Sequence, residues 1–261
     1  MAIDKTALIT GGSSGMGLEY ARQLAARGYS LLLVSNKEDD LAAAALELAT
    51  DDGRTVHTLC CDLAAPGAAE EVLAWCDGLD IVPDVLINNA GMFFMKYLEP
   101  GCLARARAMV ALHVGVVTDL CVLFGSRMKE RGSGRILNVS SMTARIPAPG
   151  IAVYSATKAY LKSFGRSFSY EMKPFGVSVT TVCPAAVDTA LYPLSDKMRR
   201  IGRRVGLIQS PEQLCSRALR AMFRGRRTVS PGILNVILPP VISILPPGLI
   251  DRLGLAWINN K

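Results

Sequence analysis

Tyr154 and Lys158 stand four residues apart in Tyr154-Ser155-Ala156-Thr157-Lys158, a spacing that puts both on one face of a helix. A phenol ionises near pH ~10 in water. A neighbouring ammonium favours the phenolate and lowers that value. A tyrosine so placed can give a proton to a carbonyl oxygen or take one from an alcohol. Ser141 lies thirteen residues before Tyr154, just after the strand-like run Leu137-Asn138-Val139-Ser140. Its hydroxyl can hold the same oxygen by hydrogen bonding. Tyrosine and lysine at this spacing are also a common surface pair of a helix, so the pair alone does not decide.

A second motif precedes it. Thr10-Gly11-Gly12-Ser13-Ser14-Gly15-Met16-Gly17 follows a strand-like segment and opens a helix. Glycine lets the backbone turn sharply and approach a pyrophosphate, and the helix N-terminus offers free N–H groups and a positive dipole end. Gly11, Ser13, Ser14, Gly15, Met16 and Gly17 are the candidate contacts. Asn88-Asn89-Ala90-Gly91 ends the fourth strand, and ligands of open α/β sheets sit outside the carboxyl ends of the strands. Asn89, Ala90 and Gly91 join the candidates.

The elements that must position these motifs alternate. Thr6–Thr10, Ser30–Val34, Thr55–Cys61, Val85–Asn88, Arg135–Ser140 and Val177–Cys183 read as strands. They are short, nearly continuous apolar runs, which suit strands buried on both faces. Helical stretches such as Gly17–Arg27 and Leu41–Thr50 lie between them. This alternation predicts βαβ units and an α/β, doubly wound parallel sheet. Gly28 reads as the end of the first helix. Ser210-Pro211-Glu212-Gln213 reads as an N-cap, a first-turn proline and a closing Gln. No composition break divides residues 1–227, which are expected to form one domain. Residues 228–261 form an extension. From Thr228 to Ile250 no residue is charged, a run of 23, and a membrane span needs about 20 apolar residues. Pro231, Pro239, Pro240, Pro246 and Pro247 interrupt it, so short helical pieces docked on the domain, a partner subunit or a membrane surface are expected.

Composition excludes several classes. Half of the 261 residues are hydrophobic and 20% are charged, which rules out global disorder. The seven cysteines are scattered without a C-x-x-C pair, and His57 and His113 are the only histidines. No metal site and no disulfide framework is expected. Asp4 and Lys5 interrupt any leader-like apolar run, so a cytoplasmic protein is expected. The net charge is +7, yet Asp196 to Arg227 holds ten Lys/Arg and two acids. The basic character belongs to one segment, which argues against a nucleic-acid binder.

Taken together, the glycine loop, Asn88-Asn89-Ala90-Gly91, the serine and the Tyr154–Lys158 pair resemble the short-chain dehydrogenase/reductase family. Order and spacing agree over about residues 5 to 190. The resemblance implies a Rossmann-type sheet of about seven strands and NAD(P)(H)-dependent hydride transfer. It implies Tyr154 as acid/base, Lys158 as its partner and ribose ligand, and Ser141 as carbonyl stabiliser. Asp62, with Leu63 beside it, matches the adenine-contacting aspartate. Pro184, Val187 and Thr189 match the segment over the nicotinamide carboxamide.

Two positions depart from the pattern. His113 stands where the family carries a helix asparagine that links the lysine through water to solvent. It can act as a proton relay or as a hydrogen-bonded, half-buried side chain. Ala185 replaces the glycine of a Pro-Gly pair. In Val34-Ser35-Asn36-Lys37-Glu38 no acid occupies the strand end, and an acid there would suit the ribose of NAD. Asn36, Lys37 and Ser13 favour NADP(H).

Residues 190–209 match the family's variable lid. With Met92, Phe93, Phe94 and Met95 they give an apolar pocket lining, which suits a lipophilic carbonyl. The pattern resembles the subgroup of 3-ketoacyl, 3-ketosphinganine and hydroxysteroid reductases. The expected reaction is ketone reduction on a 3-oxoacyl lipid or steroid. A nucleotide-sensing regulator with little turnover, or a reductase of small polar carbonyls, stays open. A homodimer or homotetramer is implied, and the basic lid beside the apolar extension suits peripheral membrane contact.

Overall fold

The computed structural model describes residues 5–49, 54–146, 148–187, 208–246 and 248. Its strands are β1 (Thr6–Thr10), β2 (Ser30–Ser35), β3 (Val56–Cys60), β4 (Val85–Asn88), β5 (Gly134–Val139), β6 (Val177–Val182), β7 (Ala186–Val187), β8 (Ile208–Gln209) and β9 (Thr228–Val229). The α-helices are α1 (Gly15–Ala25), α2 (Glu38–Leu48), α3 (Ala68–Gly78), α4 (Leu103–Val110), α5 (Val116–Arg131), α6 (Ala152–Met172), α7 (Pro211–Phe223) and α8 (Ile233–Ser243). Seven strands form one parallel sheet in the order β3-β2-β1-β4-β5-β6-β9. The expected α/β doubly wound sheet is what the chain forms.

The apolar runs are continuous because alternate residues face opposite layers. Leu8, Leu32, Leu86 and Ile136 point to one side, against Val72 of α3, Leu120 and Phe124 of α5 and Leu161 of α6. Ile9, Leu31, Leu33, Ile87 and Leu137 point to the other, against Tyr20 and Leu24 of α1 and Leu219 of α7. The chain leaves β1 toward β2 on one side and resumes beside β1 with β4 on the other. That reversal opens a crevice at the carboxyl ends of β1 and β4, where this class of sheet takes its ligands.

Local signals account for most boundaries, with shifts of one or two residues. α1 begins at Gly15 instead of Gly17, because Ser14 is already the extended N-cap. It stops at Ala25, and the chain turns through Gly28 at φ +82°. The Ser210 hydroxyl accepts the N–H of Gln213 at 3.3 Å, capping α7 as its sequence predicts. Thr228 and Val229, read as the start of the extension, are the seventh strand of the sheet. α8 runs through Pro239-Pro240. The expected break does not occur there, since a proline forgoes one backbone bond and a short packed helix can tolerate that loss. Asn235 anchors this helix, its amide donating to the Cys183 carbonyl. Residues 251–261 and the expected lid residues 190–207 lie outside the described residues, as does Thr50.

Pro100–Arg131 forms one helical rod of 32 residues, long and apolar enough to cross a membrane by length and composition. In the fold its α5 part buries Val116, Val117, Leu120, Cys121 and Phe124 against the sheet. Leu86 is fully buried at the centre of that layer. Leu86→Ala is expected to lower unfolding stability in urea by about 2–5 kcal/mol.

Candidate active site

The crevice is bounded first by the glycine loop. Gly11 and Gly12 donate to the Val34 carbonyl at 2.7 and 3.2 Å, folding the turn back on β2. Gly11 sits at φ +63°, and a Cβ there would lie 3.0 Å from the Ala90 Cα. A Cβ on Gly17 would collide with the Gly11 carbonyl. The loop and the start of α1 are thus packed too closely for side chains. The N–H groups of Gly15, Met16 and Gly17 belong to the first turn, which lacks intrahelical acceptors. No acidic side chain occupies that turn, so its positive end is free to meet an anion.

Asn89 locks the opposite wall to this loop. Its amide donates to the Thr10 and Gly11 carbonyls at 3.0 and 3.3 Å, and the N–H groups of Asn89 and Ala90 donate to Thr10 Oγ1, each at 3.0 Å. Thr10 therefore joins β1 to the Asn88–Gly91 turn.

The third wall comes from β5 and α6. Tyr154 and Lys158 lie one turn apart on α6, 3% and 5% exposed. The Lys158 ammonium donates to the Val139 carbonyl at 3.0 Å and lies 5.7 Å from the Tyr154 ring centroid. Burial pushes Lys158 down to about 8, partly offset by Cys183. Ser141 lies two residues past β5 and caps the short helical turn Met142–Arg145, its Oγ accepting the Thr143 N–H at 3.2 Å. Phe93 meets the Tyr154 ring edge-on at 5.0 Å. Met92, Phe93, Phe94 and Met95 pack with Met109, Ile151 and Tyr154 into a separate apolar cluster.

One cleft of about 560 Å³ runs from the glycine loop to Ser141, Tyr154 and Lys158, a size usual for small-molecule sites. Gly11, Ser13, Ser14, Gly15, Met16, Asn36, Lys37, Asp62, Leu63, Asn89, Ala90, Gly91, His113, Ser141, Tyr154, Lys158, Pro184 and Val187 line it, with Ala185. Gly17 packs behind the loop, and Thr189 lies outside the described residues. Ser13 Oγ donates to Ser35 Oγ at 2.9 Å. The Lys37 ammonium is 3.4 Å from Asp40 on the surface. Asp62 accepts the N–H of Ala64 at 3.0 Å, a turn within its own loop. A crowded glycine turn, a helix start open to an anion and a long cleft fit a dinucleotide. β7 pairs with β8, so Ile208 and Gln209 lie beside Ala186 and Val187. Ile208, expected as a lid side chain, is buried in that pairing.

Two positioning residues escaped the motif reading. Ser140 Oγ donates to the Lys158 carbonyl at 2.6 Å, and Thr157 Oγ1 donates to the Tyr154 carbonyl at 2.9 Å. Both are neighbours of motif residues in sequence. Thr157 is also three residues after Tyr154, a helical spacing that places it near the same face.

The profile of the short chain dehydrogenase family matches residues 5–199. A very-long-chain 3-oxoacyl-CoA reductase of Bos taurus is 30% identical over 97% of this chain and 80% of its own length. The 17-beta-hydroxysteroid dehydrogenase type 3 of Danio rerio is 32% identical over 73% of this chain, and the match spans 63% of that protein. Among solved structures, a short-chain dehydrogenase from Sphingobium yanoikuyae in complex with NADPH superposes with a TM-score of 0.77 at 27% identity, covering 93% of this chain and 97% of that one. The bulky-bulky ketone specific alcohol dehydrogenase from Comamonas testosteroni gives 0.76 at 26% identity, covering 93% and 95%. The chain therefore belongs to the short chain dehydrogenase family, as an NAD(P)-binding oxidoreductase of the 3-ketoacyl and hydroxysteroid reductase-like subgroup.

Proposed function

We propose that this chain reduces the ketone of a lipophilic substrate, a 3-oxoacyl lipid or a steroid, to a secondary alcohol, with NADP(H) as its cofactor. One observation carries the reading. Buried Tyr154 and Lys158 sit where the cleft that starts at the glycine loop meets, through Met92, the apolar cluster of Met92 to Met95. The similarity to a very-long-chain 3-oxoacyl-CoA reductase and to a 17-beta-hydroxysteroid dehydrogenase supports the substrate class.

NADP(H), when bound, supplies the hydride. The N–H groups of Gly15, Met16 and Gly17 and the α1 dipole would hold its phosphates, and Asp62 and Leu63 its adenine end. Ser13, Asn36 and Lys37 would receive a 2′-phosphate. Asp62, the carboxylate on the described cleft wall, follows β3, whereas β2 is followed by Asn36 and Lys37, at the position where an acid would select NAD. Asn89, Ala90, Gly91, Pro184, Val187 and Thr189 would bracket the nicotinamide end. Ser141 Oγ holds the substrate oxygen, and Tyr154 delivers the proton to it. Lys158 keeps a positive charge beside the phenol and holds the ribose. Apolar side chains exposed on α8, among them Val236, Ile237 and Val241, with Ile244 just past its end, support contact of this helix with a membrane surface or a second copy.

The first measurement is oxidation of NADPH and NADH across a panel of 3-oxoacyl thioesters, 3-ketosphinganine, keto-steroids and small polar ketones. Turnover with NADPH on one lipophilic class is expected; turnover confined to small polar ketones would overturn the substrate class. Tyr154→Phe is expected to lower kcat by about 10³-fold while fluorescence titration still shows NADPH binding. Asn36→Asp is expected to raise the KM for NADPH about tenfold or more and to lower that for NADH, read from the same assay. Lys158 loses its charge as pH rises through about 8, so ketone reduction is expected to fall above that pH, as a kcat/KM profile from pH 6 to about 10 would show.

A further inference from the structure

His113 occupies the middle of the Pro100–Arg131 rod, on a single π turn (Ala111–Gly115) between α4 and α5. It is 1% exposed, and both ring nitrogens are engaged. Nε2 accepts the Met92 N–H at 3.0 Å. A ring nitrogen that accepts carries no proton, so the proton of the neutral ring is on Nδ1. Nδ1 faces Thr157 Oγ1 at 3.0 Å. The Thr157 hydroxyl passes its own proton on to the Tyr154 carbonyl at 2.9 Å. Every bond in this chain then has one direction: Met92 N–H to Nε2, Nδ1–H to Thr157, Thr157 O–H to Tyr154.

A second ring proton would set two donors face to face at Met92. It would also add a positive charge near Lys158. Lys158 and Tyr154, both on α6, are the titratable groups that face the imidazole, and the Tyr154 ring stands 5.8 Å away, edge-on. Burial first, and Lys158 second, push the imidazole down to about 2. Gly91 makes the contact possible, since a Cβ there would come within 3.2 Å of Nε2.

We propose that His113 is a positioning residue, held in one neutral tautomer, that ties the Gly91–Met92 turn to helix α6 and does not relay protons. Met92 begins the apolar wall of the cleft and Tyr154 faces it. One ring thereby sets the spacing between the substrate wall and the proton donor. The consequence for catalysis rests on the reading of Tyr154 as that donor; the tautomer does not.

The test begins with the wild-type protein. His57 and His113 are the only two imidazoles, so long-range ¹H–¹⁵N spectra with and without NADPH resolve both, and His57→Gln assigns them. His113 is expected to hold the Nδ1–H form unchanged from about pH 5.5 to about 8. Titration in that window, or a proton on Nε2, would overturn the proposal whatever the substrate proves to be. Turnover supplies the second readout. Gln at this position is long enough to accept from Met92, and Asn reaches only Thr157. His113→Ala is expected to lower kcat/KM for the ketone by about 10–100-fold. His113→Gln is expected to recover most of that loss with the wild-type pH profile, and His113→Asn less. A wild-type profile with a limb between about pH 5.5 and 8 that disappears in His113→Gln would assign the relay instead. If the wild type turns over no ketone, the functional reading fails, and the spectra still decide the tautomer.

Discussion

A charged amine buried beneath the floor of the cleft constrains everything around it. Removing an ammonium from water costs several kcal/mol unless polar partners replace the solvent. Lys158 finds one in the Val139 carbonyl, at the end of β5. That contact requires α6 to lie against the strand at one height, and Ser140 secures it from the other direction by bonding the Lys158 carbonyl. With α6 fixed along its axis, the phenol one turn earlier has a single place to stand. Ser141, next along the chain from Ser140, reaches the same cleft because successive residues of an extended chain face opposite ways.

The sheet converts this local restraint into a site with two halves. Parallel strands bring all their carboxyl ends to one edge, so the glycine loop after β1, the asparagine turn after β4 and the serine after β5 open on the same side. The turn and the loop are joined by Thr10 and Asn89 rather than merely adjacent. The turn is then joined to α6 through His113 and Thr157. A displacement of the asparagine turn would reach the glycine loop through one set of bonds and the tyrosine through the other. This coupling is built from short neutral hydrogen bonds, each individually modest, closed in a water-poor interior where an unmade bond is expensive.

The apolar cluster beside the cleft, which reaches it through Met92, has a different physical character. Met92 to Met95 pack on Tyr154, Met109 and Ile151 as a cluster of their own, apart from the two core layers that flank the sheet. Methionine adapts its shape without a polar demand, so Met92 and Met95 fill this cluster without requiring a hydrogen-bond partner. The polar groups nearest this cluster are those of Tyr154 itself and of His113, which accepts the Met92 N–H.

Much of this was legible in the sequence. The central strands were readable because both of their faces are buried, which leaves unbroken apolar runs such as Leu31 to Val34, whereas the outer strand β3 is only partly buried. The Tyr154–Lys158 pair was readable because helical periodicity converts a spacing of four into a shared face. The cap at Ser210 depended on a local hydrogen bond and followed from its four residues. Other features could not be read this way. Thr228–Val229 is too short to carry a periodicity, and becomes a strand only because the edge of β6 offers its backbone partners. The path of α8 through Pro239-Pro240 is a matter of packing, and Asn235 bonding Cys183 is a contact between residues far apart in the chain. The roles open to His113 depended on which atoms face its two nitrogens. A sequence specifies the ring, and only the meeting of the Gly91–Met92 turn with α6 specifies where its proton must be.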